Sequence, residues 1–169
     1  MMSKRLGEAL NEQVTWELYS AYLYLSMAAY FESLQMSGAA NWMRVQAREE
    51  TTHAMRIFDY LAGREYRIHL LPIDAPPHQW TSPVNVFEET LRHEQRVTGL
   101  INNLVRLAGE ENDHDAKKML QWFIHEQEEE EESAGSALNR ARNATESGSL
   151  SDFDAELGRR EFHPPKKES

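Results

Sequence analysis

The chain contains no cysteine, which excludes disulfides, thiolate metal sites and cysteine-held iron–sulfur clusters. Long apolar runs are also missing. No stretch approaches the roughly 18 apolar residues of a membrane span, and Met1 to Gln13 has no continuous apolar core of the kind a secretory signal requires. The expectation is therefore a soluble, cytoplasmic protein. Positive charge is in deficit, with 18 Lys and Arg against 28 Asp and Glu and a formal net charge of -10. That disfavours nucleic acid and anionic membrane surfaces as partners and favours cations. Proline is scarce: four of the six fall at Pro72, Pro76, Pro77 and Pro83, and the other two at Pro164 and Pro165.

What remains is 169 residues, the size of one domain, with 40% hydrophobic residues and four tryptophans, enough for an ordinary core without staples. From about Lys4 to Glu32, Leu6, Leu10, Val14, Glu17, Ala21, Tyr24, Ala28 and Phe31 recur at steps of three and four, which predicts a long helix with one acid in its apolar stripe. Ser33 to Gly38 reads as a short reversal. A second helix is expected from about Ser37 to Glu65, with Ala39, Met43, Gln46, Glu50, His53, Ile57 and Leu61 on one face. The prolines between Tyr66 and Pro83 exclude a helix, and Leu70, Leu71, Ile73 and Trp80 suggest an extended strap packed on a surface. Ser82 followed by Pro83 looks like a cap and first turn. It opens a third helix to about Glu111 through Phe87, Leu91, Glu94, Val97 and Ile101. A break at Asn112 and Asp113 precedes a fourth helix from about His114 to Thr145, through Leu120, Phe123, Gln127, Glu130, Ala134 and Ala137.

Linker lengths then select the topology. Short connections make helices one and two, and helices three and four, antiparallel neighbours. A helix of about 29 residues is about 44 Å long, and an extended strap of some 17 residues spans up to about 56 Å. The strap can cross the whole bundle, so the fold expected is all-α: a ferritin-like four-helix bundle of two antiparallel hairpins joined by one long crossover. Residues 1–146 would form it. Residues 147–169 would add a short amphipathic helix over Leu150 to Phe162 and a flexible tail from Lys166.

Glu17, Glu50, His53, Glu94 and Glu130 all fall near mid-length of their helices, so four helices contribute to one layer. Alone, Glu17 fits a solvent-facing residue at a subunit contact, His53 a hydrogen-bonded core histidine, and Glu128 to Glu132 a solvated helix face. Together, four interior carboxylates repel one another unless cations lie among them. Glu50 and His53 are three residues apart and can reach one ion while Glu50 bridges to a second. An oxygen-rich set with one imidazole suits iron or manganese. Tyr24, two turns beyond Glu17, is either a core tyrosine or a partner to a ligand, and Gln127 is either a weak ligand or a hydrogen-bond donor to a ligating carboxylate. Val97 and Ser133 stand three residues after Glu94 and Glu130, so the second ion lacks an imidazole and is held more weakly.

The stretches Glu17-Leu-Tyr-Ser-Ala-Tyr-Leu-Tyr24-Leu, Asn41-Trp-Met-Arg-Val-Gln-Ala-Arg-Glu-Glu50-Thr-Thr-His53-Ala and Leu120-Gln-Trp122-Phe-Ile-His-Glu126-Gln127-Glu-Glu129-Glu130 closely resemble those of bacterial and archaeal non-haem ferritins. The resemblance covers essentially the whole chain. It implies one ferroxidase iron on Glu17, Glu50 and His53, another on Glu50, Glu94 and Glu130 with Gln127 close by, and a third iron site on Glu49, Glu126, Glu129 and Glu130. It also implies iron storage: Fe(II) is oxidised by O2 or H2O2 and deposited as ferric mineral in a homo-oligomeric shell of 24 subunits. Thr51 in place of Met after Glu50, and the missing second Glu-x-x-His, argue against the haem-binding branch, so no haem is expected. A smaller stress-protection cage, a different di-iron chemistry and a non-enzymatic helical scaffold are the competing readings.

Overall fold

The computed structural model describes residues 2–164. The expected tail from Lys166 lies outside them. Five helices account for the described chain: α1 (Lys4–Ser33), α2 (Ser37–Gly63), α3 (Pro83–Glu110), α4 (His114–Ser147) and α5 (Leu150–Leu157). α1 packs along α2 and α3 along α4, α1 also meets α3, and α5 sits against α2 and α4. Among the described residues no strand occurs, and no helix is long and apolar enough to cross a membrane.

The helix ends follow from local chemistry. Ser3, Ser82 and Asp113 accept from Leu6 N, Asn85 N and Ala116 N, satisfying donors that a first helical turn leaves free. Four helices stop in the same way, with a left-handed residue after the last turn: Gln35 at φ 59°, Glu65 at 57°, Asn112 at 54° and Gly148 at 69°. In each case the following residue donates back to the last turn, as Met36 N to Phe31 O at 3.0 Å and Asp113 N to Ala108 O at 3.0 Å. Glu65 lies in this stop signal, so α2 ends at Gly63, two residues before the periodicity suggested.

Two apolar clusters fill the bundle at different heights. One gathers Tyr24, Met27, Phe31, Met43, Phe87, Ala141 and Phe153 toward α5. The other gathers Leu6, Leu10, Val14, Ile57, Leu61, Val97, Ile101, Leu120 and Phe123 toward the opposite end. The buried polar residues Glu17, Glu50, His53, Glu94, Gln127 and Glu130 come between them along α1 to α4.

The strap crosses between the hairpins but differs from expectation. Trp80 packs edge-on to Tyr30 at 5.5 Å, Asn11 pairs with both backbone groups of His69 at 2.8 Å, and Ser26 donates to Pro77 O. Leu70, Leu71 and Ile73, expected to pack down, are 72%, 43% and 38% exposed. The strap has no regular secondary structure, so no period fixes which of its side chains face the bundle.

α5 is shorter than Leu150 to Phe162 because the chain turns at Gly158. Its Asp154 caps α2 from outside, accepting from Ala39 N at 2.7 Å and Gly38 N at 3.2 Å. A Cβ at Gly38 would lie 1.7 Å from Asp154 O. Gly38→Ala must therefore push α5 off α2, at an overpacking cost of about 1–3 kcal/mol. Thermal melting should show the loss, and limited proteolysis should cut near Gly148 faster than in the parent; unchanged melting and cleavage would contradict this packing.

Candidate metal centre

Each acid of the central layer is placed by its helix. Glu17 on α1, Glu50 and His53 on α2, Glu94 on α3 and Glu130 on α4 are all at most 5% exposed. Their donor atoms form two buried clusters, Glu17 with Glu50 and His53, and Glu50 with Glu94 and Glu130, each spanning no more than 4.8 Å. Glu50 belongs to both. A third cluster of the same size joins His53, Glu126 and Glu130.

Geometry within the first cluster leaves donors without partners. His53 Nδ1 lies 3.4 Å from Glu50 Oε2 and 3.9 Å from Glu17 Oε2. Glu17 Oε2, both Glu50 oxygens and His53 Nδ1 are buried with no hydrogen-bond partner in the protein. Such orphaned groups are rare in folded interiors and costly unless a ligand completes them. Two like charges 4.8 Å apart repel by roughly 3 kcal/mol at an effective dielectric of about 20. A pair of divalent cations converts that repulsion into attraction, and carboxylates with one imidazole are suitable donors for iron.

The surrounding polar side chains hold the acids in place. Gln13 donates to Glu17 Oε1 at 2.7 Å, and Gln46 to Glu130 Oε2 at 2.8 Å. Gln127 donates to Glu94 Oε2 and to Glu94 O, each at 3.2 Å. Tyr24 donates its hydroxyl to Glu94, and His53 meets the edges of Trp122 and Phe123. Of the two roles open to Gln127, the donor role is the one these contacts display.

Protonation follows the same physics. Burial, then the neighbouring Glu130, pushes Glu94 from 4.5 up to about 8. Burial, then Glu94, raises Glu50 well above the usual carboxylate range, and burial raises Glu130. For His53 burial alone would lower the value, but Glu50, Glu126 and Glu17 together raise it well above 6.5. Burial and Glu94 hold Tyr24 neutral, well above 10.

Of the four residues expected to form a third iron site, Glu126 and Glu130 come together beside His53, while Glu49 and Glu129 lie outside that cluster. Glu126 faces His53 Nε2 at 3.4 Å, Glu129 points outward and is exposed, and Glu49 is ion-paired to Arg160 at 2.7 Å. Neither Glu49 nor Glu129 falls in any of the three clusters. Sequence reasoning also missed Gln13, Gln46, Arg160 and the buried pair Ser20 and His93, 2.7 Å apart. The glutamines carried a signal, since each sits one turn before an acid of the layer or within the same apolar stripe.

Comparison with known proteins decides the family. The family described as a ferritin-like domain matches residues 7–144. The chain belongs to the ferritin family. It is 38% identical to a bacterial non-haem ferritin of Bacteroides fragilis over 160 residues, 95% of this chain and all of that one. It is 35% identical to the one from Staphylococcus aureus over 163 residues, 96% of this chain and 98% of that one. Among solved structures, an open-pore ferritin of Archaeoglobus fulgidus superposes with a TM-score of 0.93 at 44% identity, covering 95% of this chain and all of that chain. A form of that ferritin engineered to be closed gives 0.94 at the same identity, covering 96% and all. Iron storage with ferroxidase activity, carried out by an oligomer of this four-helix subunit, is thereby the function of the chain.

The raised groups make a pH prediction for the metal-free protein. A group whose pKa is higher folded than unfolded binds more protons in the folded state, so stability falls as pH climbs through that window. Glu94, Glu50, Glu130 and His53 all act in this direction, as does Glu49, raised by burial to about 7 against the opposing pull of Arg160. The metal-free melting temperature should drop between pH 5 and pH 8, on the order of 5 °C or more, and saturating Zn²⁺ should remove the drop. A flat profile would contradict the buried layer.

Proposed function

We propose that two Fe(II) ions bind as substrate in the central layer, one on Glu17, Glu50 and His53 and the other on Glu50, Glu94 and Glu130, with Glu50 shared. The observation that carries this assignment is the set of four buried, partnerless donor atoms on Glu17, Glu50 and His53. Binding displaces protons: His53 gives up its proton to offer Nδ1, and Glu94 and Glu50 become carboxylates. Gln127 and Tyr24 then steady Glu94, while Gln46 steadies Glu130.

Two irons held on one shared carboxylate can each release one electron to the same oxidant. With O2, two electrons and two protons give H2O2; with H2O2, two electrons and two protons give two waters. Either way no one-electron oxygen product is released. The protons displaced on binding leave the layer locally supplied for that step. The second iron sees only oxygen donors, which bind it less firmly and favour its departure after oxidation. Glu126, 27% exposed beside His53, is the first acid beyond the layer and the natural next stop for an outgoing Fe(III), with exposed Glu129 about one helical turn along α4.

We further propose that 24 copies enclose the mineral. Tyr22 and Leu25 on α1, with Leu70, Leu71 and Ile73 on the strap, are large apolar side chains left 38–72% exposed, and a second copy of this chain is the occupant that would cover them. Native mass measurement should give about 470 kDa, 24 times the 19.6 kDa chain; half that mass would favour the smaller cage.

Glu50→Ala or His53→Ala should leave the bundle folded and slow anaerobically preloaded Fe(II) oxidation by more than about 100-fold, beyond the effect of losing an outer partner of a ligand. Stopped-flow absorbance of the ferric product reads the rate. Parent-like oxidation in either variant would remove that residue from the centre.

A further inference from the structure

Just past α5, the chain doubles back over α2. Asn41 holds the turn, donating its side-chain amide to Arg160 O at 3.0 Å and to Gly158 O at 3.4 Å. The Arg160 guanidinium lies over the Trp42 ring, its Cζ 4.4 Å from the ring centroid. Nη2 donates to Glu49 Oε2 at 2.7 Å and to Gln46 Oε1 at 2.5 Å. Gln46 is fully buried, and its amide nitrogen is the donor to Glu130 Oε2 at 2.8 Å. One guanidinium thus touches an acid at the edge of the metal layer directly, and a metal-facing acid through one amide.

The orientation of that amide has only one workable sense. A glutamine amide has an accepting end and a donating end. Arg160 offers only donors, so it must face the oxygen, which leaves the NH2 for the Glu130 carboxylate. Turning Gln46 over would set nitrogen against guanidinium and oxygen against carboxylate, two repulsive contacts in a buried place. At Glu49 the guanidinium is a fixed positive charge on the acid that would otherwise be open to a third metal ion. A further cation there would have to displace Arg160 from its ion pair and its aromatic stack together.

We propose that Arg160 is a built-in cation that withholds Glu49 from iron and, through Gln46, holds Glu130 toward the second iron, so that each subunit loads two irons rather than three. Arg160 is a positioning and specificity residue, not a catalytic one, since it touches neither iron nor oxidant. The inference rests on the two-iron reading above.

The test is anaerobic Fe(II) titration of the assembled, iron-free protein, counting ions per chain by equilibrium dialysis and by calorimetry. Melting curves are taken alongside to show that each variant is folded. The parent and Glu49→Gln should each bind two ions, Arg160→Gln three, and Arg160→Gln with Glu49→Gln two again. In that double variant the weaker of the two ions should bind about tenfold less tightly than in Glu49→Gln, because Gln46 has lost the partner that orients it. Arg160→Lys, which keeps the charge, should stay at two. The proposal is overturned if Arg160→Gln binds two ions with parental affinity, or if Glu49→Gln alone loses an ion. The latter result does not depend on Arg160 variants folding. A parent protein that binds no ions would instead overturn the two-iron reading itself.

Discussion

Mutual repulsion among carboxylates sealed in the middle of a helix bundle is the constraint on which the other features depend. Each of the four helices contributes one acid, none more than 5% exposed, and no arrangement of four negative charges at this spacing is comfortable without protons or cations. The protein answers with protons when metal is absent, as the upward displacement of Glu94, Glu50 and Glu130 indicates. Metal ions are the alternative answer, and on the proposed two-iron reading competition between the two couples iron loading to proton release.

Such a layer is sustainable because it is bracketed. Apolar clusters above and below fill the bundle with Phe31, Phe87 and Met43 on one side and Ile57, Ile101 and Phe123 on the other. Their burial supplies the folding free energy that the polar layer does not. The amides of Gln13, Gln46 and Gln127 add the finer control, each fixing one oxygen of one acid.

The fold was legible wherever local chemistry decides. Periodicity marked four helices, Ser82 and Asp113 marked two starts, and the length of the proline-bearing segment allowed a crossover. The buried carboxylate layer was legible because acids that interrupt an apolar stripe are conspicuous, and because their heights agree across both hairpins. Three things were not. Leu70, Leu71 and Ile73 are exposed but read as packed, since apolar side chains in an irregular segment carry no periodicity to tell their facing. The end of α5 at Leu157 depends on how the chain turns to meet α2. Arg160 is more than 100 positions from Gln46 and Glu49 in sequence, and only tertiary folding brings it beside them, so the third-site motif looked complete when one of its acids was already engaged.

The crossover strap carries a cost for the solitary subunit. Its aliphatic side chains, together with Tyr22 and Leu25 on the neighbouring helix, leave a freshly folded monomer with a greasy flank and an extended segment fastened at few points. Such a surface is sticky toward any exposed apolar partner, nascent chains included. Correct yield in the cell then becomes a kinetic contest, in which like copies must meet one another before they meet anything else.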